Sequence, residues 1–189
     1  RSIVLFYMLK DIPVYFHVDA LGSLFVTFMS LVWLCICIYS FIFMKHEGEE
    51  GRFYGFYLLV YGVLVALDFA GNMVTLYFFY ELMTLTSMQM VLHSGTRESI
   101  MAALKYLFYS MFGAYFSLFA IFFLYKYCDT LNFTAGGTLN LELAKGHEGI
   151  LLLSAFFLLI GFGAKAGMLP LHAWLPTAHP VAPAPASAA

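Results

Sequence analysis

The feature that most constrains this chain is a long apolar segment with a lysine, a glycine and a proline in its interior. Residues 150–176 are largely apolar, yet they contain Lys165, with Gly167 and Pro170 close behind it. Proline removes a helical hydrogen bond and clashes with the preceding turn, and glycine adds backbone freedom. We therefore predict a membrane-spanning helix that is interrupted between Gly163 and Pro170. A bilayer tolerates such a break only where protein or a water-filled cavity surrounds it.

The composition places the chain among polytopic membrane proteins. Of its 189 residues, 62% are hydrophobic and 11% are charged, whereas soluble domains carry about 25% charged residues. The formal net charge of -2 argues against a nucleic-acid partner. Cys35 and Cys37 are two residues apart in an apolar run, which suits neither a disulfide nor a metal site. Without cysteine clusters or nucleotide-binding loops, we expect no catalytic residue, metal or cofactor in this chain.

The hydropathy pattern predicts an all-α helix bundle over residues 21–189, preceded by the end of another segment and an interfacial stretch in residues 1–20. Five membrane spans are predicted, at about residues 21–44, 53–67, 73–92, 99–125 and 150–176. A helix needs about 20 apolar residues to cross roughly 30 Å of hydrocarbon. The chain begins at Arg1 without a signal peptide. We expect truncation at both ends, so that the chain is a fragment of a larger subunit.

A glutamate near the centre of the third predicted span is the first candidate for ion handling. Glu81 follows Asn72 by nine residues, which places it about 13 Å along a helix and close to the bilayer midplane. A carboxyl group without a partner at that depth costs several kcal/mol. Proton or ion transfer explains it, and a structural ion pair or a protonated, hydrogen-bonded glutamate is the alternative.

Lysines and histidines in the later spans extend the candidate set. Lys165 has apolar residues on both sides for more than a turn, so it does not easily reach the interface. Lys105 lies only about 9 Å into its helix, and it either takes part in transfer or extends to the headgroups as an anchor. His172 and His179 follow the break as proton relays or as interfacial polar groups. The predicted proton-transfer residues are Glu81, Lys105, Lys165, His172 and His179.

Three segments together resemble the antiporter-like, proton-conducting membrane subunits of respiratory complex I. The same family includes Mrp-type antiporter subunits and membrane-arm subunits of formate hydrogenlyase and related hydrogenases. The segments are YFHVDAL at 15–21, NMVTLYFFYELMTLT at 72–86, and GFGAKAGMLPLHAWLPTAHP at 161–180. The second and third are the specific ones.

The resemblance implies a parent subunit of about fourteen helices in two inverted repeats, of which this chain holds the third to the seventh. Glu81 matches the family's glutamate on the fifth helix, and Lys165 matches the lysine at the break of the seventh. Lys105 resembles a lysine that some members carry on the sixth helix. His172 lies where several members have histidine. The family's eighth-helix lysine or histidine lies beyond the end of this sequence.

The expected function is that of a proton-translocating subunit of an energy-converting complex, of the NADH:quinone oxidoreductase or membrane-bound hydrogenase type. Redox chemistry elsewhere in the complex drives proton movement through it. The expected partners are other membrane subunits, the lipid bilayer and protons, in a bacterial or archaeal cytoplasmic membrane, with an organellar inner membrane left open. Two alternatives remain: an Mrp-type antiporter subunit that exchanges sodium or potassium for protons, and a structural membrane subunit.

Overall fold

The computed structural model describes residues 1–9 and 12–189, which form a β-hairpin followed by a bundle of helices. The hairpin pairs β1 (Ser2–Leu9) with β2 (Ile12–His17) in antiparallel register. The helices are α1 (Ala20–Glu47), α2 (Glu50–Asp68), α3 (Met73–Val91), α4 (Arg97–Tyr127), α5 (Leu141–Ala144), α6 (Glu148–Gly163), α7 (Leu175–Ala178) and α8 (Ala184–Ala188). Positions 10 and 11 of the predicted segment 1–20 lie outside the described residues.

Polar side chains in the connections start three of the long helices. Asp19 accepts a hydrogen bond from the Gly22 amide at 2.7 Å at the start of α1. Asn72 accepts one from the Thr75 amide at 2.7 Å at the start of α3. Thr96 accepts one from the amide of residue 99 at 3.2 Å at the start of α4. Each cap satisfies a backbone donor that the first helical turn leaves free.

The five predicted spans correspond to the helices α1, α2, α3, α4 and α6. Three of them, α1, α2 and α4, are long and apolar enough to cross a membrane by length and composition. Helix α3 is continuous, but Glu81 and the threonines at 84 and 86 interrupt its apolar sequence. These polar side chains lower its mean hydropathy. Helix α6 has 16 residues, a length of about 24 Å. The count of five spans therefore stays a prediction.

The predicted break in the last apolar segment is confirmed by the backbone. Helix α6 ends at Gly163, and residues 164–174 form turns and irregular structure before α7 begins. The Met168 amide donates to the Gly163 carbonyl at 2.9 Å, and Gly167 has a φ of +67°. A residue with a Cβ is disfavoured in that left-handed conformation. The Leu169–Pro170 peptide bond is cis.

Small residues bring α6 close to α4 just before the break. A Cβ atom added at Gly113 of α4 would lie 2.6 Å from Ala164 Cβ and 3.0 Å from the Gly161 carbonyl oxygen. The two helices therefore approach at a distance that only glycine allows at this position. This contact fixes where the turn after α6 lies relative to α4.

The hairpin is joined to the helices by a buried polar cluster. Asn72 is 2% exposed, and its side-chain amide donates to the Pro13 carbonyl at 2.8 Å. The Tyr15 hydroxyl donates to the Gly71 carbonyl at 2.8 Å and to Asn132 Oδ1 at 3.1 Å. Burial raises the pKa of the Tyr15 hydroxyl, so it remains a neutral donor. The sequence predicted only an interfacial stretch in residues 1–20, whereas β2 covers Ile12–His17 and a partner strand precedes it.

Candidate functional site

Lys165 lies in the turn that follows α6, and its ammonium group is held among aromatic side chains. Its Nζ donates a hydrogen bond to the hydroxyl of Tyr106 on α4. The same atom lies 4.4 Å from the ring centroid of Tyr106 and 5.8 Å from that of Tyr80 on α3. A cation is attracted to the face of an aromatic ring within about 6 Å of its centroid, which applies here to Tyr80, whereas the Tyr106 contact is the hydrogen bond to its hydroxyl. The break therefore places Lys165 beside a tyrosine of α3 and a tyrosine of α4.

Glu81 is a half-buried residue of α3, and one of its two carboxyl oxygens faces the protein interior. Its Oε1 atom is buried, and among the residues that the structure describes it has no hydrogen-bond partner. The ring of Tyr80, the residue directly before Glu81, has its centroid 5.8 Å from Lys165 Nζ, so α3 brings Glu81 into the interior region that holds the lysine. The neighbouring Tyr80 hydroxyl donates to the Gly161 carbonyl at 2.7 Å, which joins α3 to α6. The fold thus brings together the two charged residues whose burial in a membrane has the largest cost.

Tyr106 is held by a serine on α3 and by a tryptophan that follows the break. It is 5% exposed, and its hydroxyl lies 2.6 Å from Ser87 Oγ on α3. Its ring packs edge-to-face on Trp174, with 4.8 Å between ring centroids. The Trp174 indole donates to the Ala164 carbonyl at 2.8 Å, so the aromatic contact is also attached to the turn at the break.

Lys105 points to a different part of the chain from Lys165. Its Nζ donates to Thr177 Oγ1 on α7 at 2.8 Å, and the side chain is half-buried. The Thr177 hydroxyl in turn donates to the Ala173 carbonyl at 3.2 Å. Lys105 therefore links α4 to the segment after the break, and it does not share the aromatic seat of Lys165.

The two histidines differ in their relation to Lys165. His179 is exposed, but it lines a cavity of about 350 Å³ that also reaches Lys165, Tyr106 and Ser87. His172 is exposed and does not line that cavity. The structure thus groups His179 with the central lysine and leaves His172 apart.

Three uncharged residues of the site, Tyr80, Tyr106 and Ser87, were not among the candidates predicted from the sequence. They carry no charge, so the cost of burying an ion did not draw attention to them. Trp174 also belongs to this group, and it packs at 8% exposure beside Tyr106. The available signal for Tyr106 was its position directly after Lys105, a candidate proton-transfer residue on the same predicted helix.

Two family models match the chain. The model described as "NADH:quinone oxidoreductase/Mrp antiporter, TM" matches residues 70–189. The model described as "NADH-Ubiquinone oxidoreductase (complex I), chain 5 N-terminus" matches residues 8–54. The first match contains Glu81, Lys105 and Lys165.

Curated relatives belong to several kinds of membrane complex. Hydrogenase-4 component B of Escherichia coli is 35% identical over 174 residues, which are 91% of this chain and 25% of that protein. NADH-quinone oxidoreductase subunit N of Desulforudis audaxviator is 30% identical over 89% of this chain and 33% of that protein. A Na(+)/H(+) antiporter subunit of Bacillus subtilis is 29% identical over 90% of this chain and 34% of that protein. The chain thus spans between a quarter and about a third of these relatives.

Solved structures share the fold. A chain of the archaeal membrane-bound sulfane sulfur reductase superposes with a TM-score of 0.74 at 19% identity, covering 94% of this chain and 36% of that one. A chain of the Mrp complex from Dietzia sp. superposes with a TM-score of 0.73 at 19% identity, covering 98% of this chain and 35% of that one.

Proposed function

Because the chain belongs to the NADH:quinone oxidoreductase/Mrp antiporter membrane family, we propose that it is part of a proton-translocating, antiporter-like subunit of an energy-converting respiratory complex. The observation that carries this proposal is a lysine in a helix break, bonded to a tyrosine in the same interior region as a half-buried glutamate. Lys165 donates to Tyr106, and Glu81 Oε1 is buried without a hydrogen-bond partner among the described residues. A purely structural ion pair has no need of a broken helix or of an unpaired carboxyl oxygen.

In the proposed mechanism Lys165 carries the proton, and its hold on that proton depends on its distance from Glu81. Two unit charges at about 4 Å interact by roughly 4 kcal/mol at an effective dielectric constant near 20, and at about 8 Å by half of that. A change of about 2 kcal/mol is more than one unit on the pH scale. The irregular backbone of residues 164–174 provides a segment that can shift by such a distance.

The remaining residues have supporting roles in this proposal. His179 lines the cavity that reaches Lys165, and in this proposal it passes protons between that cavity and water. Lys105, which donates to Thr177 in this structure, becomes a second cation for Glu81 only after it leaves that hydroxyl. His172, exposed near the break, exchanges protons only at the surface.

The parent protein in this proposal is longer than the chain and contains two inverted repeats of the fold. It works in a bacterial or archaeal cytoplasmic membrane beside other membrane subunits. Redox cofactors belong to those partners, and this chain contributes ion movement without binding a cofactor. The relatives from hydrogenase-4 and from NADH-quinone oxidoreductase support this assignment.

An antiporter that exchanges sodium or potassium for protons is the second candidate. The Na(+)/H(+) antiporter relative from Bacillus subtilis and the superposition on the Mrp complex favour it. The two candidates share the proton site and differ in the ion that couples to it. Proton uptake that requires an opposing sodium or potassium gradient, with no redox subunit purified alongside, would favour the antiporter.

The test of the proposed function is proton transport by the parent complex in sealed vesicles. Glu81→Gln removes the charge and keeps the shape, so we expect transport to fall by about two orders of magnitude or more while the complex still assembles. Glu142→Gln is the matched control, since Glu142 is exposed in the loop helix α5. Loss of assembly in Glu81→Gln, with Glu142→Gln intact, would instead assign Glu81 a structural role.

A further inference from the structure

The starting observation is that the ammonium of Lys165 is satisfied by an uncharged group while a carboxyl group nearby is not. Lys165 Nζ donates to the Tyr106 hydroxyl, and Glu81 Oε1 is buried without a hydrogen-bond partner among residues 1–9 and 12–189. A buried acceptor without a partner costs free energy. Lys165 therefore has two competing acceptors within the same interior region, and this structure has it on the tyrosine.

The Tyr106 side chain is suited to hold an ammonium group. Its hydroxyl accepts from Lys165 Nζ, which lies 4.4 Å from the ring centroid on the hydroxyl side of the ring rather than over its face. Its hydroxyl is also 2.6 Å from Ser87 Oγ, and Ser87 Oγ in turn donates to the Met83 carbonyl at 2.6 Å. The hydroxyl can thus accept from Lys165 and donate to Ser87 at the same time.

The position of Tyr106 is set by the backbone of the break itself. Trp174, packed on the Tyr106 ring, donates its indole hydrogen to the Ala164 carbonyl at 2.8 Å. Ala164 is 0% exposed and directly precedes Lys165. A movement of the turn that carries Lys165 therefore also moves Trp174, which packs on the Tyr106 ring. The positions of Lys165 and Tyr106 are coupled through this contact.

We infer that Tyr106 is a positioning residue that holds the Lys165 ammonium apart from Glu81, so that Lys165 alternates between the Tyr106 hydroxyl and the Glu81 carboxylate. This inference rests on the proposed function, because it describes how the separation of that pair is set. The exchange transfers no proton between Lys165 and Tyr106; the ammonium keeps its hydrogens and changes only its acceptor. Ser87 acts through Tyr106 by fixing its hydroxyl.

The test measures the state of Glu81 directly, in membranes that contain the assembled parent complex. A hydrophobic carbodiimide adds to a protonated carboxyl group and rearranges to a stable N-acylurea, whereas a carboxylate paired with an ammonium reacts poorly. Tyr106→Phe keeps the ring and removes the hydroxyl, which releases Lys165 towards Glu81. We expect the labelled fraction of Glu81, measured by mass spectrometry, to fall about tenfold, the size expected for one hydrogen bond to a charged group.

Tyr109→Phe is the matched control, because Tyr109 lies one turn away on α4, is only partly buried, and packs beside the same cluster. Its labelling should equal that of the unaltered complex. Ser87→Ala, which leaves the Tyr106 side chain in place, should lower labelling of Glu81 by a smaller factor in the same direction. If Tyr106→Phe does not assemble, the Ser87→Ala result decides. Unchanged or increased labelling in the variant that assembles would overturn the inference.

The outcome separates this inference from the proposed function. Suppose that Glu81→Gln abolishes proton transport in the same vesicles, but Tyr106→Phe leaves the labelling of Glu81 unchanged. The proposed function would then stand, and the role of Tyr106 would be rejected. No proton transport in the unaltered complex, with labelling that still falls in Tyr106→Phe, would reject the function and keep the exchange of partners. If the proposed function and the role of Tyr106 both hold, Tyr106→Phe also lowers the proton transport rate about tenfold, whereas Tyr109→Phe leaves it unchanged.

Discussion

At the scale of single residues, the ability of Lys165 to lose its proton separates the mechanism from simple charge placement. Arginine has a similar reach and charge but stays protonated in proteins. We expect Lys165→Arg to reduce proton transport by about two orders of magnitude, as Lys165→Ala does, while the complex assembles. Lys145→Arg, in an exposed loop position, is the control. A wild-type transport rate in Lys165→Arg would show that deprotonation of this residue is not part of the cycle.

The two histidines after the break give a second prediction at this scale. His179 lines the cavity that reaches Lys165, whereas His172 is exposed away from it. We expect His179→Ala to slow proton transport at least about tenfold, since a positioned proton donor or acceptor contributes that much or more. His172→Ala should stay within about twofold of the unaltered rate. The measurement is the initial rate of vesicle acidification, and the reverse order of the two variants would contradict the assignment.

The charged members of the site could be predicted from the sequence because burying an ion in a membrane has a large cost. Glu81 and Lys165 violate the apolar pattern around them, and the fold turns Glu81 Oε1 inward on α3 while the ring of the preceding Tyr80 lies 5.8 Å from Lys165 Nζ. Tyr106 and Ser87 violate nothing, since a tyrosine or a serine in an apolar helix has many ordinary explanations. The conformation of the turn after α6 determines which hydroxyl accepts a hydrogen bond from Lys165. That acceptor is therefore known only from the three-dimensional contacts.

At the scale of helices, the packing of α4 against α6 holds the break in position. Alanine at Gly113 would place its Cβ 2.6 Å from Ala164 Cβ, with backbone on the other side. Forcing an extra methyl group into such a contact costs about 1–3 kcal/mol. We expect Gly113→Ala to lower the thermal stability of the purified complex, measured by fluorescence-detected size exclusion after heating.

Gly62→Ala is the matched control for this helix contact. Gly62 is exposed on α2, and a Cβ there would meet nothing within 4 Å. Replacing a glycine inside a helix by alanine removes a backbone-entropy cost of roughly 0.5–1 kcal/mol, so its stability should be equal or higher. A loss of stability in Gly62→Ala equal to that in Gly113→Ala would show that the close approach of α4 and α6 is not the cause.

Helix starts and the break were predictable, and the hairpin was not. Asn72 and Thr96 are good caps in any fold, and a lysine with glycine and proline behind it interrupts a helix wherever it lies. Residues 2–9 read SIVLFYML, a short apolar run that fits a strand or the end of a helix equally well. The partner strand decides between them, and its pairing is a long-range contact that local pattern does not contain.

At the scale of the whole molecule, the connections gather at two opposite ends of the bundle. At one end the α1–α2 and α3–α4 connections meet, because His93 Nε2 lies 3.1 Å from the Gly48 carbonyl oxygen and Arg52 donates to the His93 carbonyl. At the other end the loop after α4 meets the start of α3 and the hairpin, through the Met73 amide on the Leu131 carbonyl at 3.0 Å. Long helices separate the two ends, which is the arrangement expected for a bundle that crosses a bilayer.

The distribution of basic residues between these ends predicts the orientation of the chain in the membrane. The helix ends that flank the short connections at the first end carry Lys45, Arg52 and Arg97, and lysine and arginine near the ends of membrane helices in short loops favour the cytoplasmic side. In a full-length protein whose native cysteines are replaced by alanine, Ser94→Cys should react with a membrane-impermeant maleimide only in inverted vesicles, and Ala135→Cys only in intact cells. Both positions are exposed in loops. Because both ends carry a probe, the two results form an internal control: reaction of both cysteines from the same side would contradict the bundle topology, and exchange of the two sides would contradict the orientation alone.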